Sequence, residues 1–155
     1  MLRKIEIMYQ EYNIETKCPV CNNIIFMDSA GNGDKCLKCS WVKSSIHEEF
    51  PDRVMCPNLI SLNKAKKLYK DGKPFTPDFN DFIEGFNFYG EMEFTYKGIT
   101  YGIMRIADKG VEFWGMNTDV YAMFNNIGEF AEKAKIDGNL VKDIWNKVEN
   151  ANWLQ

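Results

Sequence analysis

Two Cys-x-x-Cys pairs, Cys18/Cys21 and Cys36/Cys39, constrain this chain more than any other feature. Fourteen residues separate them, close to the C-x2-C-x15–20-C-x2-C spacing of metal-binding modules. Each pair can curl its backbone round one side of a tetrahedral ion. A small polar residue follows each pair, Asn22 and Ser40, where the chain must turn sharply, and Trp41 supplies an apolar cover. Between the pairs, Ile24 to Met27 is strand-like and Ser29 to Asp34 is a turn cluster, so a hairpin is expected to bring the two knuckles together. Four thiolates fill every position of Zn²⁺ and leave none for water or substrate, which makes one structural zinc ion on Cys18, Cys21, Cys36 and Cys39 the expected cofactor. Redox chemistry at Cys-x-x-Cys normally uses a single pair at a helix start, not two pairs in loops. His47 would serve as a ligand only if a cysteine were displaced, and is expected to be an exposed lone histidine.

Composition narrows the remaining classes. The 155 residues are 45% hydrophobic and 14% aromatic, with 22 acidic against 19 basic side chains and a formal charge of −3. This is a folded, soluble composition whose acidity argues against direct nucleic-acid binding and against a membrane surface. No apolar run reaches the roughly 18 residues of a membrane span, and the N-terminal MLRKIEIMYQEYNIETK carries charges where a signal peptide needs its apolar stretch. The expected compartment is the cytoplasm, where paired cysteines hold metal rather than form disulfides. Cys56 stands outside the pattern and is expected to be a buried structural thiol.

The CPVC and CLKCSW motifs, together with CPNLISLNKAKKLYKDGKPF from Cys56 to Phe75, resemble the bacterial cysteine-rich CPCC-like proteins, in which a zinc ribbon is followed by an Asn-x-x-Ser-Leu-x-x-Ala helix. The resemblance covers about Cys18 to Phe75 and implies the ribbon fold and its zinc. One departure stands out: that family usually has adjacent cysteines in its first knuckle, whereas Pro19 and Val20 lie between Cys18 and Cys21 here. The tail KAKIDGNLVKDIWNKVENANWL is similar to a C-terminal module of small proteins from low-GC Gram-positive bacteria and their phages.

Beyond the ribbon, Ser61 is an N-cap for a helix through Tyr69, with Leu62, Ala65 and Tyr69 on one face and Lys64, Lys66, Lys67 and Lys70 on the other. Pro74 to Tyr96 carries eight aromatics and five charges, all acidic; it reads as an irregular hinge with one helical turn from Asp78 to Glu84, whose core-facing side is Phe79, Phe82, Ile83 and Phe86. From Glu91 the period changes to two, and Lys97-Gly98 and Asp108-Lys109-Gly110 mark the turns of a three-stranded meander, to which Tyr121–Phe124 adds a fourth strand. Asn126 with Glu129 predicts a capping box and a helix facing inward through Ile127, Phe130, Ala131 and Ala134. A last helix is expected with Leu140, Val141, Ile144, Trp145 and Val148 as its stripe. The expectation is therefore an α+β protein in three parts: a zinc ribbon (1–50), a helix with an acidic-aromatic connector (51–90), and an antiparallel meander with two C-terminal helices (91–155).

No catalytic set emerges. A Ser-His-Asp or Cys-His centre would have to use His47, and neither a Walker A sequence nor G-x-G-x-x-G is present. Carboxylate pairs such as Glu91/Glu93 and Asp78/Asp81 are routine on strands and helix starts, so the expectation is a non-enzymatic interaction protein. Its candidate partner face is acidic: Asp78, Asp81, Glu84, Glu91 and Glu93. At the level of size and acidity the chain resembles phage-encoded anti-CRISPR proteins of the type II-A class, which implies Cas9 as partner, engaged through its basic nucleic-acid channel in the host cytoplasm. The alternative is a host zinc-ribbon regulator that binds nucleic acid itself through the ribbon and the Lys64–Lys70 face.

Overall fold

The computed structural model describes residues 14–154, so the charged N-terminal stretch, including the first thirteen residues assigned to the ribbon, lies outside the described residues. The fold is α+β. Strands β1 (Ile14–Lys17) and β2 (Ile24–Met27) pair antiparallel, followed by the short helix α1 (Ser45–Glu49) and by α2 (Leu62–Lys70). Cys18, Ile25, Cys36, Trp41, Ile60, Leu62 and Ala65 form a small apolar cluster between these elements. As expected, Ser61 caps α2, accepting from the Lys64 amide at 3.3 Å. No described helix is long and apolar enough to cross a membrane.

The larger core lies in a five-stranded antiparallel sheet that runs, edge to edge, through Tyr121–Phe124, Gly110–Gly115, Ile99–Ile106, Glu91–Tyr96 and Glu149–Trp153. Its meander is the one the period-two pattern predicts: β3 (Glu91–Tyr96), β4 (Ile99–Ile106), β5 (Gly110–Gly115) and β6 (Tyr121–Phe124). Alternation along β3 buries Met92, Phe94 and Tyr96 on the inner face, where they join Ile103 and Phe113. Helix α4 (Ile127–Lys133) packs there through the fully buried Phe130. Asn126 caps α4 by accepting from the Glu129 amide, while the Glu129 carboxylate reaches back to the Asn125 amide, one residue upstream of the expected partner.

Two expectations fail here. Pro74 to Tyr96 is not a hinge: an eleven-residue helix α3 (Phe79–Tyr89) runs through it, with Phe82 and Phe86 fully buried in the larger core. The sequence FNDFIEGFNFY has little intrinsic helix preference, and it is helical because one face of rings finds a sheet to cover. The last helix is also much shorter than expected. After the two-stranded turn β7 (Lys135–Ile136) and β8 (Asn139–Leu140), α5 (Val141–Ile144) ends in a single 3-10 turn, and the chain extends as β9 (Glu149–Trp153). β9 pairs with β3, placing Trp153 opposite Met92, so Val148 precedes a strand instead of completing a helical stripe.

Polar links tie helix α3 to the first half of the chain. The Val54 amide donates to Glu84 at 3.1 Å, the Cys56 amide to the Tyr89 hydroxyl at 2.6 Å, and Lys64 pairs with Asp78 and Asp81. Charge divides along the chain as well: residues 14–76 hold ten basic and seven acidic side chains, residues 77–154 seven and thirteen.

Candidate metal centre

The two Cys-x-x-Cys segments fold as near copies of one knuckle. In the first, the Cys18 amide donates to the Asn23 carbonyl at 2.8 Å and the Asn22 amide to the Cys18 carbonyl at 2.9 Å; in the second, Cys36 donates to Trp41 at 2.8 Å and Ser40 to Cys36 at 2.7 Å. Asn22 and Ser40 both take left-handed backbone, with φ of 59° and 64°, which reverses the chain after each second cysteine. The hairpin β1–β2 carries the first knuckle at its tip, and an antiparallel bridge between Lys35 and Val42 closes the second. Asp28 organises the connecting loop, accepting from the amides of Ala30 and Asn32 at 2.9 Å each.

The four sulfurs lie within 4.8 Å of one another, with Cys18–Cys39 and Cys21–Cys36 at 3.5 Å. A tetrahedral ion with metal–sulfur bonds of about 2.3 Å needs sulfurs about 3.8 Å apart, so the donor set fits a thiolate-bound metal ion. Cys18 and Cys36 are fully buried and Cys21 and Cys39 half-buried, which leaves the centre largely shielded. Burial pushes the Cys39 and Cys18 thiols up from their ordinary value. At Cys36 burial works in the same direction, but the amides of Cys39 and Lys38 and the Cys21 thiol outweigh it and bring the group to about 7. Four crowded thiols do not ionise together unaided; a divalent cation supplies the charge that lets them.

His47 is placed differently from expectation. It is 0% exposed, its Nε2 sits 2.8 Å from the Met55 carbonyl, and the Trp41 ring meets it edge-on with centroids 5.1 Å apart. The five-residue helix α1 turns it inward beneath Trp41, where it joins α1 to the segment before α2. Its Nε2 is committed to a main-chain carbonyl. Burial, the largest influence, holds its pKa below the usual 6.5, against the pull of the Met55 and Ser44 carbonyls and Glu48. Above pH 6.5 the ring is neutral in both folded and unfolded chains; below it the unfolded chain takes up a proton that the folded one refuses, so stability falls until the folded pKa is reached. We expect His47→Gln to destabilise the metal-loaded protein by about 1–3 kcal/mol at neutral pH. The gap from wild type should narrow as pH falls below 6.5. Urea midpoints of both proteins at two pH values check this, and an unchanged midpoint at neutral pH would contradict it.

The five acidic candidates do not form one face. Asp78 and Asp81 build the capping box of α3: Asp78 accepts from the Asn80 and Asp81 amides at 2.9 and 3.0 Å, and Asp81 from the Asp78 amide at 2.7 Å. Lys64 reaches both, and Asp81 is buried. Burial outweighs Lys64 at Asp81 and holds its carboxyl above the ordinary range. At Asp78, burial is overcome by Lys64 and the Asp81 and Asn80 amides, which hold that carboxyl below it. Glu84 is occupied by the Val54 amide. Replacing all three with lysine would therefore break the cap of α3, its pairing with Lys64 and its link to the Val54 amide. Glu91 and Glu93 lie instead on the outer face of the sheet. Of the lysine face, Lys64 belongs to this internal pairing, while Lys66, Lys67 and Lys70 are exposed or partly so. Cys56 is half-buried against the larger core, away from the four ligands. The sequence reading missed the pairing role of Lys64; its only sequence signal is a lysine in the first turn of a helix that precedes an Asp-x-x-Asp.

Residues 16–76 match a protein family described as cysteine-rich CPCC. The match takes in both knuckles, α1 and α2, and stops before α3. No curated protein and no solved structure matches the chain.

Proposed function

We propose that this is a non-enzymatic interaction protein whose N-terminal half is held in shape by one structural zinc ion on Cys18, Cys21, Cys36 and Cys39. The observation that carries the reading is the set of four sulfurs within 4.8 Å, which saturates a tetrahedral ion and offers no position for water or substrate. The commitment of His47 to a main-chain carbonyl supports it further. Thiolate ligation needs reduced cysteines, which suits a reducing compartment such as the bacterial cytoplasm. In its narrower form the protein is a phage product that occupies the basic nucleic-acid channel of a host nuclease such as Cas9. The acidic excess of residues 77–154 supports that form; the internal pairing of Asp78, Asp81 and Glu84 leaves it to rest on other acids.

A second reading has its own observation. Residues 14–76 are net basic, and Lys66, Lys67 and Lys70 lie on the outer side of α2, an arrangement that suits a phosphate backbone. Elemental analysis of anaerobically prepared protein tests the shared core of both: one zinc per chain is expected, and a value well below one removes it. Binding to a basic nuclease without salt-sensitive binding to DNA or RNA favours the first reading, and the reverse favours the second.

A further inference from the structure

Helices α3, α4 and α5 cover one face of the five-stranded sheet, and among the described residues no helix covers the opposite face. Strand register arranges this face in rows. One row runs Glu93, Gly102, Trp114, Tyr121 across β3 to β6, and the next runs Glu91, Met104, Glu112, Met123. Tyr121 is 64% and Met123 44% exposed. Trp114 is half-buried with no helix above it because it lies across Gly102: a Cβ on Gly102 would stand 2.2 Å from Cζ2 of the indole. The missing side chain lets the ring settle onto the strand, so its position is set before any partner arrives. The Glu112 carboxylate beside Tyr121 raises its phenol above the ordinary pKa, so the aromatic and acidic rows adjoin.

Outward positions on β3 to β6 include the three carboxylates Glu91, Glu93 and Glu112, and no lysine or arginine. An apolar partner would strand these carboxylates, and an acidic one would be repelled. We propose that this face docks a basic protein segment whose arginine side chains stack on Trp114 and Tyr121 and pair with Glu91, Glu93 and Glu112. The proposal rests on the interaction reading above and adds the surface and the partner chemistry. Arginine suits it better than lysine, because a planar guanidinium both stacks on an indole and binds a carboxylate through two parallel hydrogen bonds. Fixed aromatics at the centre of a contact carry a disproportionate share of binding energy.

The test uses the full metal-loaded chain with nona-arginine and nona-lysine peptides, followed by nitrogen-15 NMR. Trp114 is the one tryptophan not buried, so its indole signal is a local reporter. Nona-arginine is expected to shift that signal and the β5 and β6 amides, to bind about tenfold tighter than nona-lysine, and to weaken with added salt. Glu91→Gln with Glu93→Gln and Glu112→Gln should lower affinity at least tenfold, and Trp114→Leu should bring the two peptides close to equal affinity. Three results overturn the proposal: no binding by nona-arginine, shifts confined to other acidic sites such as Glu132 or Asp143, or the same sheet signals moving with protein concentration alone, which would assign the face to a second copy of this chain. Any of these leaves the interaction reading standing if the protein still binds a partner through residues 14–76; catalytic turnover would remove that reading while the peptide map is judged on its own.

Discussion

Cys36→Ser is expected to abolish metal binding and to unfold the N-terminal half. The thiol is fully buried, and its residue is a fixed point of the second knuckle, donating to Trp41 and accepting from Ser40. Around it lies a cluster of only a few apolar side chains, several of them the ligands themselves. A unit so small has little core of its own, and a structural zinc supplies on the order of 10 kcal/mol to such folds. The expected measurements are a metal content well below one per chain and collapse of the amide signals of residues 14–50. The sheet should persist, because its core is built almost wholly from residue 82 onward. Val54, Cys56 and Leu59 are its contributions from the first half, so signals near Glu84 and Tyr89 should shift while those of Ile103 and Phe113 stay. Simultaneous loss of the sheet signals would show instead that both clusters melt as one unit, and full metal retention would remove Cys36 from the ligand set.

Trp153→Ala should be the most damaging single change in the second half, costing about 3–5 kcal/mol. Its ring is 3% exposed, lies parallel to Phe82 at 6.3 Å and stacks on Tyr89 at 5.5 Å. It also fills the space left by Gly85: a Cβ there would stand 2.1 Å from Cζ2 and 2.6 Å from Cη2 of the indole. Helix α3 can approach β9 only because residue 85 has no side chain. Gly85→Ala attacks the same contact from the other side, and because a buried indole cannot fold away, a further loss of about 1–3 kcal/mol is expected for that variant alone. Urea titration of metal-loaded proteins measures both, with metal content as the control that should not change. A Trp153→Ala protein within about 0.5 kcal/mol of wild type, the range of an inconsequential surface change, would mean that β9 is not docked as described.

What the sequence disclosed follows the range over which each signal acts. The knuckles are written in a few adjacent residues: two cysteines, the reversal at Asn22 or Ser40, and the Trp41 lid. The meander is equally local, since alternation and Gly-containing turns specify it within each hairpin. Helix α3 was legible only as one turn with Phe79, Phe82, Ile83 and Phe86 facing inward; its full length was not, because its rings match a hinge or a strand as well as a helix and its burial depends on a sheet not yet formed. β9 was hidden for a related reason: Val141, Ile144 and Trp145 continue a helical period into Val148, while the partner that pulls Glu149 to Trp153 straight is β3, far away in the chain. The acidic candidates show the limit of counting charges. Asp78 and Asp81 read as a patch but are a cap closed by Lys64, whereas the row of Glu112 beside Trp114 and Tyr121 appears only once strand register sets them abreast.

The pairing of β3 with β9 also orders events during synthesis. Every ligand and nearly all the small cluster lie before residue 76, so a nascent chain can capture its ion and complete that half while the rest is still being made. The sheet has no such freedom. Its strand β3 waits for Trp153, and until that residue clears the ribosome, Met92 and the groove beside Gly85 stay uncovered. A ribosome stalled between α4 and β9 would thus display a finished metal-bound head on an unfinished, apolar tail, the form most open to chaperones and to aggregation.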